Sequence, residues 1–208
     1  MSNHIVLLGD SIFDNGAYVP GGPSVLEHVR RFLPDGWRAT LLALDGATVS
    51  SVFRQLERVP NDATHFVLSV GGNNALWLSG DLLSETTSDV RASLKRVSEL
   101  LTEFRSEYRQ LVIELRELKR PLTICTIYDS IPGLEPSEVA GLCFFNDFIT
   151  RTAFEFELTL IDLRTLCNEA ADYSPLSPIE PSAGGGGKIA RAIVSAVLGG
   201  GKERRVIA

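Results

Sequence analysis

Residues 5–11 read Ile5-Val6-Leu7-Leu8-Gly9-Asp10-Ser11, four apolar side chains in a row and then a glycine and two small polar residues. An uninterrupted apolar run of this length, halted by glycine, predicts a strand buried on both faces. Burial on both faces needs helices above and below the sheet, so a helix should follow. Residues 24–33 supply it, with Val25, Leu26, Val29, Phe32 and Leu33 at helical spacing before the breaker Pro34-Asp35-Gly36.

The same alternation runs through the rest of the chain. Strands are predicted at 38–44, 65–70, 122–128 and 158–163, and helices at 49–59, 90–118, 137–154 and 189–198. The stretch 90–118 has the strongest periodicity, with Ser88-Asp89 as a cap and Pro121 as a stop; it reads as one long helix or as two with a bend near 105–107. Residues 75–87 read as a loop. Strands separated by helices pair in parallel through crossovers, which gives one α/β domain with a parallel sheet of about five strands and helices on both faces. The domain is expected to span 1–198, with 199–208 a loose tail.

Composition agrees with one domain: 208 residues, 44% apolar and 22% charged. With 20 basic against 26 acidic side chains, affinity for nucleic acid through phosphate neutralisation is not expected. No apolar run approaches the roughly 18–20 residues of a membrane span. The start, Met1-Ser2-Asn3-His4, lacks the basic stretch of a secretion signal. Cys125, Cys143 and Cys167 lie far apart with no metal-type spacing, which points to reduced thiols in a cytoplasmic protein, Cys125 being a core residue. No metal or cofactor motif is present, and nothing fixes an oligomeric state.

In parallel sheets, ligands bind beyond the carboxyl ends of the strands. Three strand ends bring small and polar residues to that face: Gly9-Asp10-Ser11, Asp45-Gly46-Ala47 and Gly71-Gly72-Asn73-Asn74. Ser11 is placed to present a hydroxyl, Gly46 an unobstructed backbone N–H and Asn73 an amide donor. A nucleophile and an oxyanion hole are the two parts that acyl transfer needs.

These three blocks resemble those of the SGNH (GDSL-type) hydrolases, single-domain, three-layer, flavodoxin-like esterases, lipases and acetylhydrolases. The resemblance covers residues 5 to about 198. It implies Ser11 as nucleophile, Gly46 and Asn73 as oxyanion hole, a small-molecule ester as substrate, and a chiefly structural Asp10. The third block usually ends in Asp, where this chain has Asn74. The last block departs further. It normally places an Asp three residues before a His, but in Ser177-Pro178-Ile179-Glu180-Pro181-Ser182 the alignment puts Glu180 at the His position and Ser177 at the Asp position.

No other histidine fills the gap. His4 and His65 begin their strands, and seven residues at about 3.3 Å each put His4 roughly 20 Å from Ser11. His28 lies on a helix running away from that face. Glu180 is therefore the base on offer, effective only where desolvation raises its pKa. The alternative is a fold kept for binding a small molecule with weak or no turnover. Asn146-Asp147 reads as a buried polar anchor. Gly184–Gly187 with Lys188 is not a phosphate loop, because residue 189 is Ile where Ser or Thr is needed.

Overall fold

The computed structural model describes residues 3–84 and 89–199. The predicted tail therefore lies, beyond Gly199, outside the described residues. The elements run β1 (Asn3–Gly9), α1 (Val25–Phe32), β2 (Trp37–Leu41), α2 (Val49–Leu56), β3 (His65–Ser69), α3 (Gly72–Ser84), α4 (Val90–Glu117), β4 (Leu122–Cys125), α5 (Pro136–Glu155), β5 (Thr159–Ile161), α6 (Leu163–Leu166) and α7 (Ala183–Val197). The five strands form one parallel sheet in the order β2-β1-β3-β4-β5.

Side chains alternate between the two faces along each strand, and the apolar runs serve both. Val6, Leu8, Phe66, Leu68 and Ile124 face a core closed by α2, α4 and α5. Ile5, Leu7, Val67 and Cys125 face a second core closed by α1 and α7. Cys125 is a core residue, its thiol pushed well up from the ordinary range by burial.

Two helix boundaries differ from the sequence reading, and one open length is decided. Residues 72–84, which read as a strand end running into a loop, form α3. The Gly-Gly-Asn-Asn start masks the helix, because those residues ordinarily mark turns. Residues 90–117 are one helix, begun by the Asp89 carboxylate accepting from the Arg91 N–H at 2.9 Å. The last helix begins at Ala183, not at 189, so the four glycines lie inside it. A Cβ on Gly185 would stand 2.1 Å from the Asp172 carbonyl oxygen, and one on Gly186 would stand 3.1 Å from Val25 Cγ2. Glycine here lets the helix start pack tightly on its neighbours, at a cost in helix propensity.

Candidate active site

Where β1 ends, Gly9 has φ +127°, and a Cβ there would lie 1.8 Å from the Ser69 carbonyl oxygen. Only glycine lets β1 turn this closely against β3. Gln55 of α2 then clamps Gly9 from both sides: its Nε2 donates to the Gly9 carbonyl and its Oε1 accepts the Gly9 N–H, each at 2.8 Å. Beyond the clamp, the Asp10 carboxyl accepts the Ile12 N–H at 3.1 Å and closes the turn that carries Ser11.

The segment opposite is fixed by hydrogen bonds from four directions. Glu180 N–H donates to the Ser177 carbonyl at 3.0 Å, and its carbonyl accepts the Ser174 N–H at 2.8 Å. Tyr128 Oη donates to the Ile179 carbonyl at 2.5 Å, and Asn15 Nδ2 donates to the Pro181 carbonyl at 3.1 Å. Asn15 also accepts the Val25 N–H at 2.9 Å, tying the start of α1 to the same loop. Ser177 contributes its backbone carbonyl to this arrangement.

These supports hold Glu180 at 3% exposure beside Ser11, whose own exposure is 7%. Burial raises the Glu180 pKa to about 7; the neighbouring Ser11 hydroxyl pulls it down by hydrogen bonding, and the Asp45 and Asp14 charges push it up. Glu180 Oε2 is buried with no partner among the described residues. Asp10 is raised to about 8, again chiefly by burial, with the Glu180 and Asp45 charges adding to it. At neutral pH, Asp10 is mostly protonated and spares Glu180 a like charge.

Ser11, Asn73, Glu180 and Asp10 all line one cavity of about 150 Å³. Asn73 Nδ2 donates to the Ala47 carbonyl at 2.9 Å, leaving its second hydrogen, and Asn74 Oδ1 accepts the Val49 N–H at 3.0 Å at the start of α2. An amide carbonyl performs this capping as a carboxylate would, so Asn74 in place of Asp keeps the contact. Gly46 lies between two anchored neighbours, Ala47 on Asn73 and Asp45 on Asp14 and Tyr18, but is exposed and off the cavity wall. Among the described residues, the N–H groups of Gly46 and Ser11 have no hydrogen-bond acceptor.

The histidines are engaged elsewhere. His4 is buried, with Nδ1 at 3.1 Å from Asp62 and Nε2 at 2.8 Å from Thr40. His65 Nδ1 contacts Thr64 at 2.9 Å, and His28 Nε2 meets the Ala183 carbonyl at 2.9 Å. Of the expected anchor pair, Asn146 exchanges two 2.8 Å bonds with the Ile127 backbone, whereas Asp147 is exposed and accepts from Arg151 Nε at 2.7 Å. Trp77 is exposed and not on the cavity wall. Among the described residues, no group of three or more His, Cys, Asp or Glu is arranged to hold a metal, and no helix is long and apolar enough to cross a membrane.

Gln55, Asn15 and Tyr128 are positioning residues that the sequence reading passes over. Gln55 left a trace, a polar residue three positions after Val52 on the apolar face of its helix.

Solved structures share this architecture. An acetyl xylan esterase from Geobacillus stearothermophilus (a W215I variant) superposes with a TM-score of 0.69 at 19% identity, over 94% of each chain. The fold is that of the SGNH hydrolases. An extracellular lipase from Streptomyces rimosus gives 0.67 at 18% identity over 93% of this chain and 99% of the lipase. A lipase from a goat rumen metagenome gives 0.73 at 17% identity, over 93% of this chain and 97% of that one. Catalytic mutants of the Geobacillus esterase, one with a histidine and one with a serine replaced by alanine, superpose equally well. No family model matches the sequence, and no curated protein matches it. At these identities the SGNH likeness is one of fold.

Proposed function

We propose that the protein is a serine esterase acting on a small neutral ester, with Ser11 as nucleophile and Glu180 as its general base. The reading rests on one observation: a buried carboxylate with a pKa of about 7 stands beside a serine hydroxyl in an apolar cavity. A base poised near the working pH has both a useful ionised fraction and driving force to accept a proton. The SGNH-like architecture and the esterase and lipase neighbours support the same reaction class.

Ser11 Oγ attacks the ester carbonyl carbon as its proton passes to Glu180. The carbonyl oxygen becomes an oxyanion, held by Asn73 Nδ2 and the Gly46 and Ser11 N–H groups. The C–O bond to the alcohol breaks, and the alcohol leaves with the proton from Glu180. Water then gives a proton to Glu180 and attacks the acyl carbon, and Ser11 Oγ leaves with that proton. A carboxylate base has no tautomer for a second acid to fix, unlike imidazole, which accounts for Ser177 at the position of that acid. The Asp14, Asp45 and Glu180 carboxylates disfavour anionic substrates.

The test is hydrolysis of short-chain p-nitrophenyl esters. Ser11→Ala should abolish it, and Glu180→Gln should lower kcat by roughly 10²–10⁴. An unchanged rate in Ser11→Ala would overturn the serine mechanism. Ligand retention without turnover would favour the second reading, a binding protein, for which the engagement of all three histidines away from the cavity is the supporting observation.

A further inference from the structure

From the shape and chemistry of the cavity we infer that the acyl part of the substrate is an unbranched alkyl chain of about six carbons, comparable to what a cavity of this size accepts. This rests on the esterase reading for its chemistry and on the cavity for its chain length. Ser11 and Asn73, which follow β1 and β3, line the cavity together with Glu180. From there the cavity extends between α3, α4 and α5, walled by Leu78, Val97, Leu101, Leu142 and Phe145. Three polar side chains lie farther along: Ser137 is exposed, and Ser79 and Glu138 bond the nearby backbone. Ser79 Oγ donates to the Leu76 carbonyl at 2.8 Å, and the Glu138 carboxylate accepts the Glu135 N–H at 2.8 Å. Among the described residues, no buried side-chain polar atom in that part of the cavity lacks a hydrogen-bond partner.

An acetyl group would place a single methyl there and leave the walls without contacts. A six-carbon chain would fill the space.

Gly141 sets the available room. It lies inside α5, on the cavity wall, where glycine weakens a helix relative to alanine. Unlike Gly185, no close neighbour requires it: a Cβ at 141 would meet nothing within 4 Å. It has no positive φ either. What it leaves open is the cavity.

The experiment compares p-nitrophenyl hexanoate with p-nitrophenyl acetate in wild type, Gly141→Ala and Gly141→Leu. Each buried methylene is worth about fourfold, so wild type should favour hexanoate in kcat/KM on the order of a hundredfold. The hexanoate-to-acetate ratio should fall stepwise, by roughly tenfold or more in Gly141→Leu, whose side chain brings four carbons into the cavity. Removing a helical glycine favours folding, and thermal melting confirms that both variants are intact. In parallel, hexanamide and acetamide are titrated against Ser11→Ala protein by thermal shift. Hexanamide should stabilise it at concentrations where acetamide does not, and Gly141→Leu in that background should lose the effect. Discrimination between the amides with no ester hydrolysed by wild type would sustain the alkyl site and remove the esterase reading. Ester hydrolysis with acetate preferred, and no discrimination between the amides, would overturn the alkyl site and leave the esterase reading standing.

Discussion

Two carboxyl groups, Asp10 and Glu180, share the neighbourhood of one serine hydroxyl, and both are held above the ordinary carboxylate range by burial. The consequence for stability has a definite sign. Asp10 titrates at about 8 in the folded chain and near 3.9 when unfolded, so folding takes up a proton between those values. The favourable contribution is complete below about pH 4 and is lost as pH rises through about 8. Asp10→Asn keeps an oxygen to accept the Ile12 N–H and removes the titration. The variant should melt above wild type at pH 9, with a margin that narrows steadily towards pH 4. Thermal unfolding across that range checks it, and a pH-independent margin would contradict it. Glu180 acts with the same sign, and its cost at alkaline pH accompanies its use as a base.

Among the elements, α7 shows how local sequence and packing conflict. Its glycine-rich start reads as a loop ahead of a helix, yet the backbone is helical from Ala183, capped by Ser182 Oγ accepting the Gly185 N–H at 3.1 Å, and glycine at 185 lets it pass close to Asp172. Gly185→Ala should destabilise the fold by about 1–3 kcal/mol, lowering the melting temperature by roughly 2–12 °C. Gly184→Ala is the control, since its Cβ would meet only ordinary contacts at 3.6 and 4.0 Å. Equal melting of the two variants would contradict this account of the glycines. The misread start of α3 has the same origin: Gly71, Gly72, Asn73 and Asn74 signal a turn by composition, while tertiary contacts extend a helix through most of them. The strands and the other long helices were legible because their apolar periods report burial directly. Periodicity alone cannot show a bend, so it does not decide whether α4 is one helix or two.

For the molecule as a whole, topology brings the loops after β1, β2 and β3 to one edge of the sheet, and strand-end composition alone marked Ser11, Gly46 and Asn73 as candidates. The structure places Ser11, Asn73 and Glu180 on one cavity and Gly46 beside it. The supports were not legible, because they depend on distant pairings: Gln55 with Gly9 across 46 positions, Tyr128 with Ile179 across 51 and Asn15 with Pro181 across 166. The cavity was equally hidden, since it exists only where three helices leave space. The proposed pairing of Ser11 with Glu180 is tested most directly by the rate at which a fluorophosphonate labels the protein as a function of pH. Labelling should fall on Ser11 and accelerate through a midpoint near pH 7, and Glu180→Gln should lose both the rate and the midpoint. Labelling of Ser11 at the same rate and with the same pH dependence in Glu180→Gln would contradict the account.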